Sequence, residues 1–344
     1  MRNKLILPVV ISFCFSLTTH AKMIANFTDY FRSPAVLMDK THLCIWDQPE
    51  RKIRVYSLKD YKKISEFGGK GQAPGEFMGI STVTMIDDKI FVSSYPKLCV
   101  FTKEGKLVKE LKGPTNAGSF TPIGKNFIGT TYPYVEPDAE TAKIVYSLFD
   151  SHLEKDKDVF FGETTKMIMH PEKKPVVTWY SGITKTYIYN NRIYIGSTMK
   201  GFDIYVIDQK GDRLYEIHKP FNRRRITEDD KNRRIADAKR HWGDAAWKQF
   251  ISSYDISFPV FYPAFESFSI DNDRIYVFLY PEENSQAIII LDLKGNALGE
   301  KQIPILEVPG CIEAGRFSIR NGKLFYMVEN DNTEMWELHV ISID

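Results

Sequence analysis

Cysteine is scarce in this sequence, and this limits how disulfides or zinc could stabilise the fold. The 344 residues include 4 cysteines, of which Cys14 lies in the leading segment described below. The other three, Cys44, Cys99 and Cys311, cannot all pair within one chain. Cys44 and Cys99 alternate with apolar residues in short predicted strands, so we expect buried thiols. No two cysteines or histidines lie at the spacing of zinc ligands, which argues against a zinc site.

Motifs of the common catalytic sites are also missing. The chain has no serine elbow, no His-Glu-x-x-His helix, no Cys-x-x-Cys pair and no phosphate-binding glycine loop. Its 7 histidines are scattered singly, and His42 and His339 fall in predicted strands, where a structural role is favoured over metal binding. We therefore predict no catalytic residues, no bound metal and no cofactor, although a resemblance given below leaves an enzymatic alternative open.

A large excess of charge of one sign is absent as well. The formal net charge is +2, from 46 Lys and Arg against 44 Asp and Glu. Loss of a leader that holds Arg2 and Lys4 would leave 44 cations against 44 acids. A neutral chain has no general electrostatic attraction to nucleic acid, so we expect no nucleic-acid partner.

The first 21 residues predict export. Two cations precede an apolar run, 5–17, that is too short to span a bilayer as a helix. Thr19 and Ala21 place small residues in the two positions that a signal peptidase reads. We predict a signal peptide at 1–21, cleaved after Ala21, and a periplasmic or secreted mature protein without a transmembrane segment. A buried N-terminal helix is the alternative interpretation.

Short strands joined by tight turns recur along the rest of the chain. The clearest unit follows the glycine-rich turn 67–77 and contains four predicted strands. A polar turn, then Lys or Arg, then alternating apolar and aromatic residues marks one strand of each unit. Copies of this signature lie at 88–92, 191–195, 273–277 and 321–326, with weaker copies at 39–46 and 124–128.

Six such units predict the fold class: an all-β, six-bladed β-propeller that spans 22–344. The last unit ends one strand short, whereas 22–30 is a short apolar segment without a predicted partner. We expect this N-terminal segment to pair with the C-terminal strand and close the ring, which removes two exposed sheet edges. A β-sandwich would not explain six copies of one meander.

A short helical insertion, at about 222–254, is predicted between blades 4 and 5. Thr227 and the acids after it resemble a capping box. Ile235, Trp242, Ala246 and Phe250 recur at helical spacing and form one apolar stripe. The opposite face is basic. The helix either packs on one rim with its charges in solvent, or forms a docking surface or lid for an acidic partner.

The turn 67–77 resembles the NHL-repeat family and the broader TolB-like, six-bladed bacterial propellers. It follows the pattern Phe-Gly-x-x-Gly-x-x-x-Gly-x-Phe, and strand segments such as 273–277 match as well. The full turn occurs only once, and the family's Asn-His-Arg segment is replaced by 95–98. The resemblance implies the architecture and says little about activity. Enzymes similar to this family, the amidating lyases and lactonases, hold a metal in the central channel.

Charged residues are predicted at the mouth of that channel. Alignment of the inner strands on their following turns places Lys185, Ser267 and Arg316 at one level, with Glu266 one step away. Two cations beside one acid suit a small anion or a peptide carboxylate better than calcium. Alternatively, these charges neutralise one another and fill the channel mouth.

Aromatic residues cluster before inner strands four and five. Trp179, Tyr180 and Tyr262 are the main members, with Phe261 and Phe265 nearby. On a rim they would stack against a sugar or peptide, whereas in the interior they would wedge adjacent blades together. With Lys185, Glu266 and Arg316, the first three complete the predicted ligand-binding set.

Two classes of function follow. The first is an exported, monomeric propeller without catalytic activity, which binds a protein, peptide or glycan partner of the cell envelope on one face. The second is a metal-dependent hydrolase or lyase of the lactonase or amidating-lyase type. The second requires a polar metal cluster, and Glu266 and Glu313 are the only candidates that the sequence offers there.

Overall fold

Six four-stranded antiparallel sheets are found in the described part of the chain. The computed structural model describes residues 21–131, 141–165, 174–182, 184–198, 201–282, 285–305, 317–330 and 332–344. Of the predicted signal peptide, only Ala21 lies within these ranges. Cys311 and Arg316 lie outside them. The predicted all-β, six-bladed β-propeller is confirmed.

Most of the strands are joined to their neighbours in the chain as antiparallel hairpins. In chain order they are β1 (Lys22–Phe27), β2 (Pro34–Met38), β3 (His42–Asp47), β4 (Lys52–Ser57), β5 (Lys63–Gly68), β6 (Thr82–Ile86), β7 (Lys89–Ser94), β8 (Lys97–Thr102), β9 (Leu107–Lys112), β10 (Ala117–Ile123), β11 (Asn126–Thr131), β12 (Thr141–Phe149), β13 (Lys155–Thr165), β14 (Val176–Thr178), β15 (Thr184–Tyr189), β16 (Arg192–Ser197), β17 (Phe202–Asp208), β18 (Arg213–Lys219), β19 (Asp255–Ser257), β20 (Ser267–Asp271), β21 (Arg274–Phe278), β22 (Ser285–Asp292), β23 (Ala297–Pro304), β24 (Phe317–Arg320), β25 (Lys323–Asn330) and β26 (Met335–Ser342).

Each four-stranded sheet is one blade, and in blades 1 to 5 the strands lie side by side in chain order. Blades 1 to 5 are β2–β5, β6–β9, β10–β13, β15–β18 and β20–β23. Their first strands contact one another around the ring, β2 with both β6 and β24, β6 with β10, and β20 with both β15 and β24. The first strand of each blade is therefore the inner one, next to the propeller axis.

Asparagine-rich turns join the first and second strands of several blades. Asn190 and Asn191 have φ of 48° and 54°, and Asn272 and Asp273 have φ of 49° and 57°. Positive φ at both central residues is the requirement of a type I′ hairpin turn, and Asn and Asp adopt it at low cost. These turns set the strand register from purely local sequence.

Pairing of the two ends of the chain closes the ring. Blade 6 has the order β24–β25–β26–β1, and β1 runs antiparallel to β26 with Lys22 opposite Val340 and Phe27 opposite Trp336. The Trp336 indole Nε1 donates to the Phe31 carbonyl oxygen at 3.0 Å. The Phe27 ring lies 4.8 Å from the ring of Tyr56 in blade 1. The predicted closure is confirmed.

The glycine-rich turn connects blade 1 to blade 2. Gly68 has a φ of +91°, and a Cβ there would lie 2.6 Å from the Arg51 carbonyl oxygen, so only glycine fits without rearrangement. The turn places Phe77, which is fully buried, in the apolar cluster shared by the two blades. That cluster also contains Cys44 and Cys99 as free thiols, as predicted. Burial raises the pKa of both thiols to about 12.

The insertion between blades 4 and 5 contains the helix α1, Glu228–Ser253. Its predicted capping box is present, because the Thr227 hydroxyl accepts from the Asp230 backbone and the Asp230 side chain accepts from the Thr227 backbone. Inside the helix, Gly243 has φ 76° and ψ 162°, which interrupts the helical backbone. No helix in the described ranges is long and apolar enough to cross a membrane.

The chain reverses at Gly243 and forms a helical hairpin, 228–253. The Arg234 guanidinium and the Phe250 ring lie 4.9 Å and 6.2 Å from the ring of Trp179. Sixteen residues of straight helix would separate Arg234 from Phe250 by about 24 Å. Contact of both with one indole therefore requires that the two helical segments fold back on each other.

The single apolar stripe predicted for this helix is partly wrong. Ile235 and Phe250 pack into the cluster under the hairpin, but Ala246 is exposed and Trp242 is 38% exposed. Ala238 and Trp247 are buried instead. The prediction assumed that the helical period of 3.6 residues continues through the whole segment, but the reversal at Gly243 interrupts it.

Replacement of Phe27 by alanine tests the closure. Because its side chain is 3% exposed and packs against Tyr56, we expect Phe27→Ala to lower the free energy of unfolding by about 3–5 kcal/mol. Urea denaturation followed by circular dichroism measures the change. Met23→Ala, on the same strand at a residue that is 43% exposed, is the matched control, with an expected change of about 0.5 kcal/mol or less. Equal losses for the two variants would contradict a role for Phe27 in closure.

Candidate functional site

The connections between strands differ strongly between the two faces of the propeller. In a meander, the loops that enter first strands lie on the same face as those that join second to third strands, which we call the loop face. On the opposite face, the turn face, the connections between described strands are five residues or shorter. The helical hairpin follows β18 and precedes β20, so it lies on the loop face. Long connections are where binding sites concentrate on a rigid scaffold.

Short ladders tie together the two chain segments at the base of the helical hairpin. The Ile226 amide donates to the Val260 carbonyl at 3.0 Å, and the Tyr262 amide donates to the Arg224 carbonyl at 2.9 Å. Farther out, β14 and β19 pair in parallel. The chain before blade 4 and the chain after the hairpin are thereby tied together.

Trp179 is the centre of the cluster under the hairpin. It is 8% exposed, and the rings of Trp242, Trp247, Phe250 and Phe258 lie within 6.3 Å of it. The sequence placed Trp179 among aromatics that could stack on a ligand or pack internally. The structure places it in internal packing, and contact with a ligand stays a prediction.

Tyr180 and Tyr262 belong to a second aromatic group that also includes Tyr280. Their ring centroids lie 4.6–5.5 Å apart, and the Arg224 guanidinium lies 3.9 Å from the centre of the Tyr262 ring. Burial raises the pKa of Tyr262 to about 12 and raises that of Tyr180 as well. Both phenols are therefore protonated at neutral pH. Tyr280 was not among the residues predicted from the sequence, although its position just after the second strand of blade 5 places it on the same face as Tyr262.

Lys185 and Glu266 lie side by side at the inner strands of blades 4 and 5. The Lys185 ammonium is 3.5 Å from both the Glu266 backbone oxygen and the Ser267 hydroxyl. Glu266 is 9% exposed as a residue, and its carboxylate accepts from the Gln286 side-chain amide at 2.8 Å. The structure thus brings together Lys185, Ser267 and Glu266, three of the four residues predicted at the channel mouth.

The fourth, Arg316, and the second predicted acid, Glu313, lie outside the described residues. Within the described ranges, no group of three or more His, Cys, Asp or Glu side chains could hold a metal ion.

A cleft lies between the helical hairpin and blades 1, 2 and 6. Its volume is about 680 Å³. Trp46, Tyr30 and Trp242 supply aromatic walls, and Tyr30 and Trp242 are 69% and 38% exposed. Exposed Arg32 and Glu329 add one charge of each sign. This cleft was not predicted from the sequence, because Trp242 reaches blade 1 only through the reversal of the hairpin.

Comparison with known proteins shows the fold. The described strands and their order establish it independently. The chain is a six-bladed β-propeller. A Bacteroides fragilis protein described as a candidate for export has a TM-score of 0.55 at 12% identity, with 96% of each chain covered. Hsv2 of Kluyveromyces lactis has a TM-score of 0.37 at 10% identity over 90% of this chain and 98% of its own, too low to support any argument. No family model matches the sequence, and no curated protein matches it.

Removal of the Trp179 side chain tests its role as the anchor of the hairpin. We expect Trp179→Ala to raise the rate of tryptic cleavage within 228–253 by at least about tenfold, because loss of a buried indole favours local opening. Mass spectrometry of the fragments locates the cuts. Val260→Ala, at a residue that is 59% exposed, is the control and should leave the rate unchanged. Cleavage of Trp179→Ala at the wild-type rate would show that other contacts hold the hairpin.

Proposed function

We propose that this chain is an exported, non-catalytic propeller whose loop face binds a protein, peptide or glycan partner of the cell envelope. The observation that supports this most directly is the 680 Å³ cleft between the helical hairpin and the blades. Its volume falls in the range of ligand-binding clefts, about 300–1,000 Å³. It lies on the face that holds the long connections.

The chemistry of the cleft suits an extended polar partner. Trp242 and Tyr30 are exposed aromatic residues, and such rings can pack on the apolar face of a sugar or on a side chain. Arg32, Gln48 and Glu329 provide hydrogen-bond donors and acceptors on the same surface. The mixed charge favours neither a strongly acidic nor a strongly basic partner.

The predicted channel residues would extend this surface. Lys185 and Arg316 would bind an anionic group of the partner, such as a carboxylate, while Glu266 orients the site. Tyr180 and Tyr262 would line the approach, since both belong to the aromatic group beside the hairpin base. These roles, like that of Trp179, are part of the proposal.

Export is proposed from the leader and its position relative to the fold. The first strand of the ring begins at Lys22, so cleavage after Ala21 would leave every blade complete. The Bacteroides fragilis protein with the same fold is described as a candidate for export, which supports the same compartment.

Binding through the cleft is tested with the mature chain, 22–344. The immobilised protein is exposed to a glycan array and to solubilised envelope, and each retained species is identified and then titrated by calorimetry. We expect Trp242→Ala to weaken binding of that species by at least about tenfold, as for an aromatic hot spot. Phe161→Ala removes a ring that is 71% exposed on the outer strand of blade 3 and should change affinity less than twofold. If a retained species binds both variants with wild-type affinity, the cleft is excluded as its binding site.

Intact mass and N-terminal sequencing of the protein from its native host test the export step. We expect the mature chain to begin at Lys22, because the two residues read by signal peptidase are Thr19 and Ala21. A cytoplasmic protein that retains residues 1–21 would contradict the prediction.

A further inference from the structure

A second cavity lies between blades 4 and 5, and it shares no lining residue with the cleft. Its volume is about 410 Å³. The walls are largely apolar. They come from the start of β17, the end of β18 and the segment after it, the approach to β20, the segment after β21, strand β22 and the start of β23. The main wall residues are Phe202, Phe221, Tyr262, Leu279, Ile289 and Leu291. Phe202 and Tyr262 are 2% and 6% exposed, so the walls are part of the packed structure rather than a loose surface.

Two of the charged residues at the mouth of this cavity neutralise each other. The Arg224 Nε lies 3.3 Å from the Glu282 carboxylate, and the Arg224 Nη1 lies 3.6 Å from Asp230. The same guanidinium packs on the Tyr262 ring and donates to the Pro281 carbonyl oxygen at 2.8 Å. Arg224 is thus held in place by its neighbours and has little capacity for a ligand.

Lys219 is the charge at the mouth that remains unbalanced. It is the cross-strand partner of Phe202, so the two side chains lie on the same face of the blade. Its stem can follow the apolar wall while its ammonium stays at the opening. No carboxylate in the described part of the chain forms an ion pair with Lys219. The cavity therefore combines an apolar interior with one unmatched positive charge.

We propose that this cavity binds a medium-chain fatty acid, with its hydrocarbon tail on the apolar walls and its carboxylate at Lys219. Burial of the tail supplies affinity in proportion to the apolar area removed from water. The carboxylate forms a charge-assisted hydrogen bond with the ammonium. A peptide fits these walls less well, because its amide groups would lose their hydrogen bonds to water without gaining partners.

Calorimetric titration with decanoate and with decanol, both below their critical micelle concentrations, tests the proposal. Lys219→Met keeps the apolar stem and removes the charge. We expect it to weaken decanoate binding by about tenfold or more and to change decanol binding less than twofold. Ala297→Trp, at an exposed residue that lines the cavity, should fill it and weaken both ligands by about tenfold or more.

Lys294→Met is the matched control, because Lys294 lies in the exposed turn between β22 and β23, on the turn face. It should leave both affinities unchanged, and thermal unfolding confirms that each variant is folded. Three results would overturn the proposal: no decanoate binding by the wild-type protein, equal decanoate affinity in the wild type and Lys219→Met, or tighter binding of an acetylated hexapeptide that ends in a free phenylalanine carboxylate. The loop-face cleft is unaffected by any of these results, since its residues are different.

Discussion

The ladder between β1 and β26 is the interaction on which the rest of the structure depends. It joins the two ends of the described chain in one blade, in which β1 is the outer strand. Phe27 couples the ladder to blade 1 through Tyr56, and Trp336 couples it to the segment before β2 through the Phe31 carbonyl. The ladder thereby ties blade 6 to blade 1, whose inner strand β2 contacts the inner strand β24 of blade 6.

The two faces of the propeller differ in the connections that they hold. The turn face consists of short local turns, whereas the loop face receives the helical hairpin, which the ladder at its base and the cluster around Trp179 hold in place. Since the hairpin forms one wall of the 680 Å³ cleft, the shape of that cleft depends on aromatic packing about a single indole. The smaller cavity depends instead on the packing of blade 4 against blade 5.

The elements that the sequence predicted well are those set by local chemistry. The turns at 190–191 and 272–273, the capping box at Thr227 and the buried thiols each follow from a few neighbouring residues. The candidate site was harder to predict from the sequence, because it depends on contacts between distant segments. Gly243 reverses a helix whose residues otherwise continue one pattern, and that reversal brings Trp242 to blade 1. The ring of Tyr280 contacts that of Tyr180 only because blades 4 and 5 pack side by side.

The position of β1 also sets an order of events during synthesis. β1 is the first strand of the ring to leave the ribosome, and its partner, β26, is the last. Blades 1 to 5 are each continuous in sequence and can form as their residues emerge, whereas blade 6 must wait for both ends. A chain that lacks either β1 or β26 can form the other five blades but cannot complete the sixth.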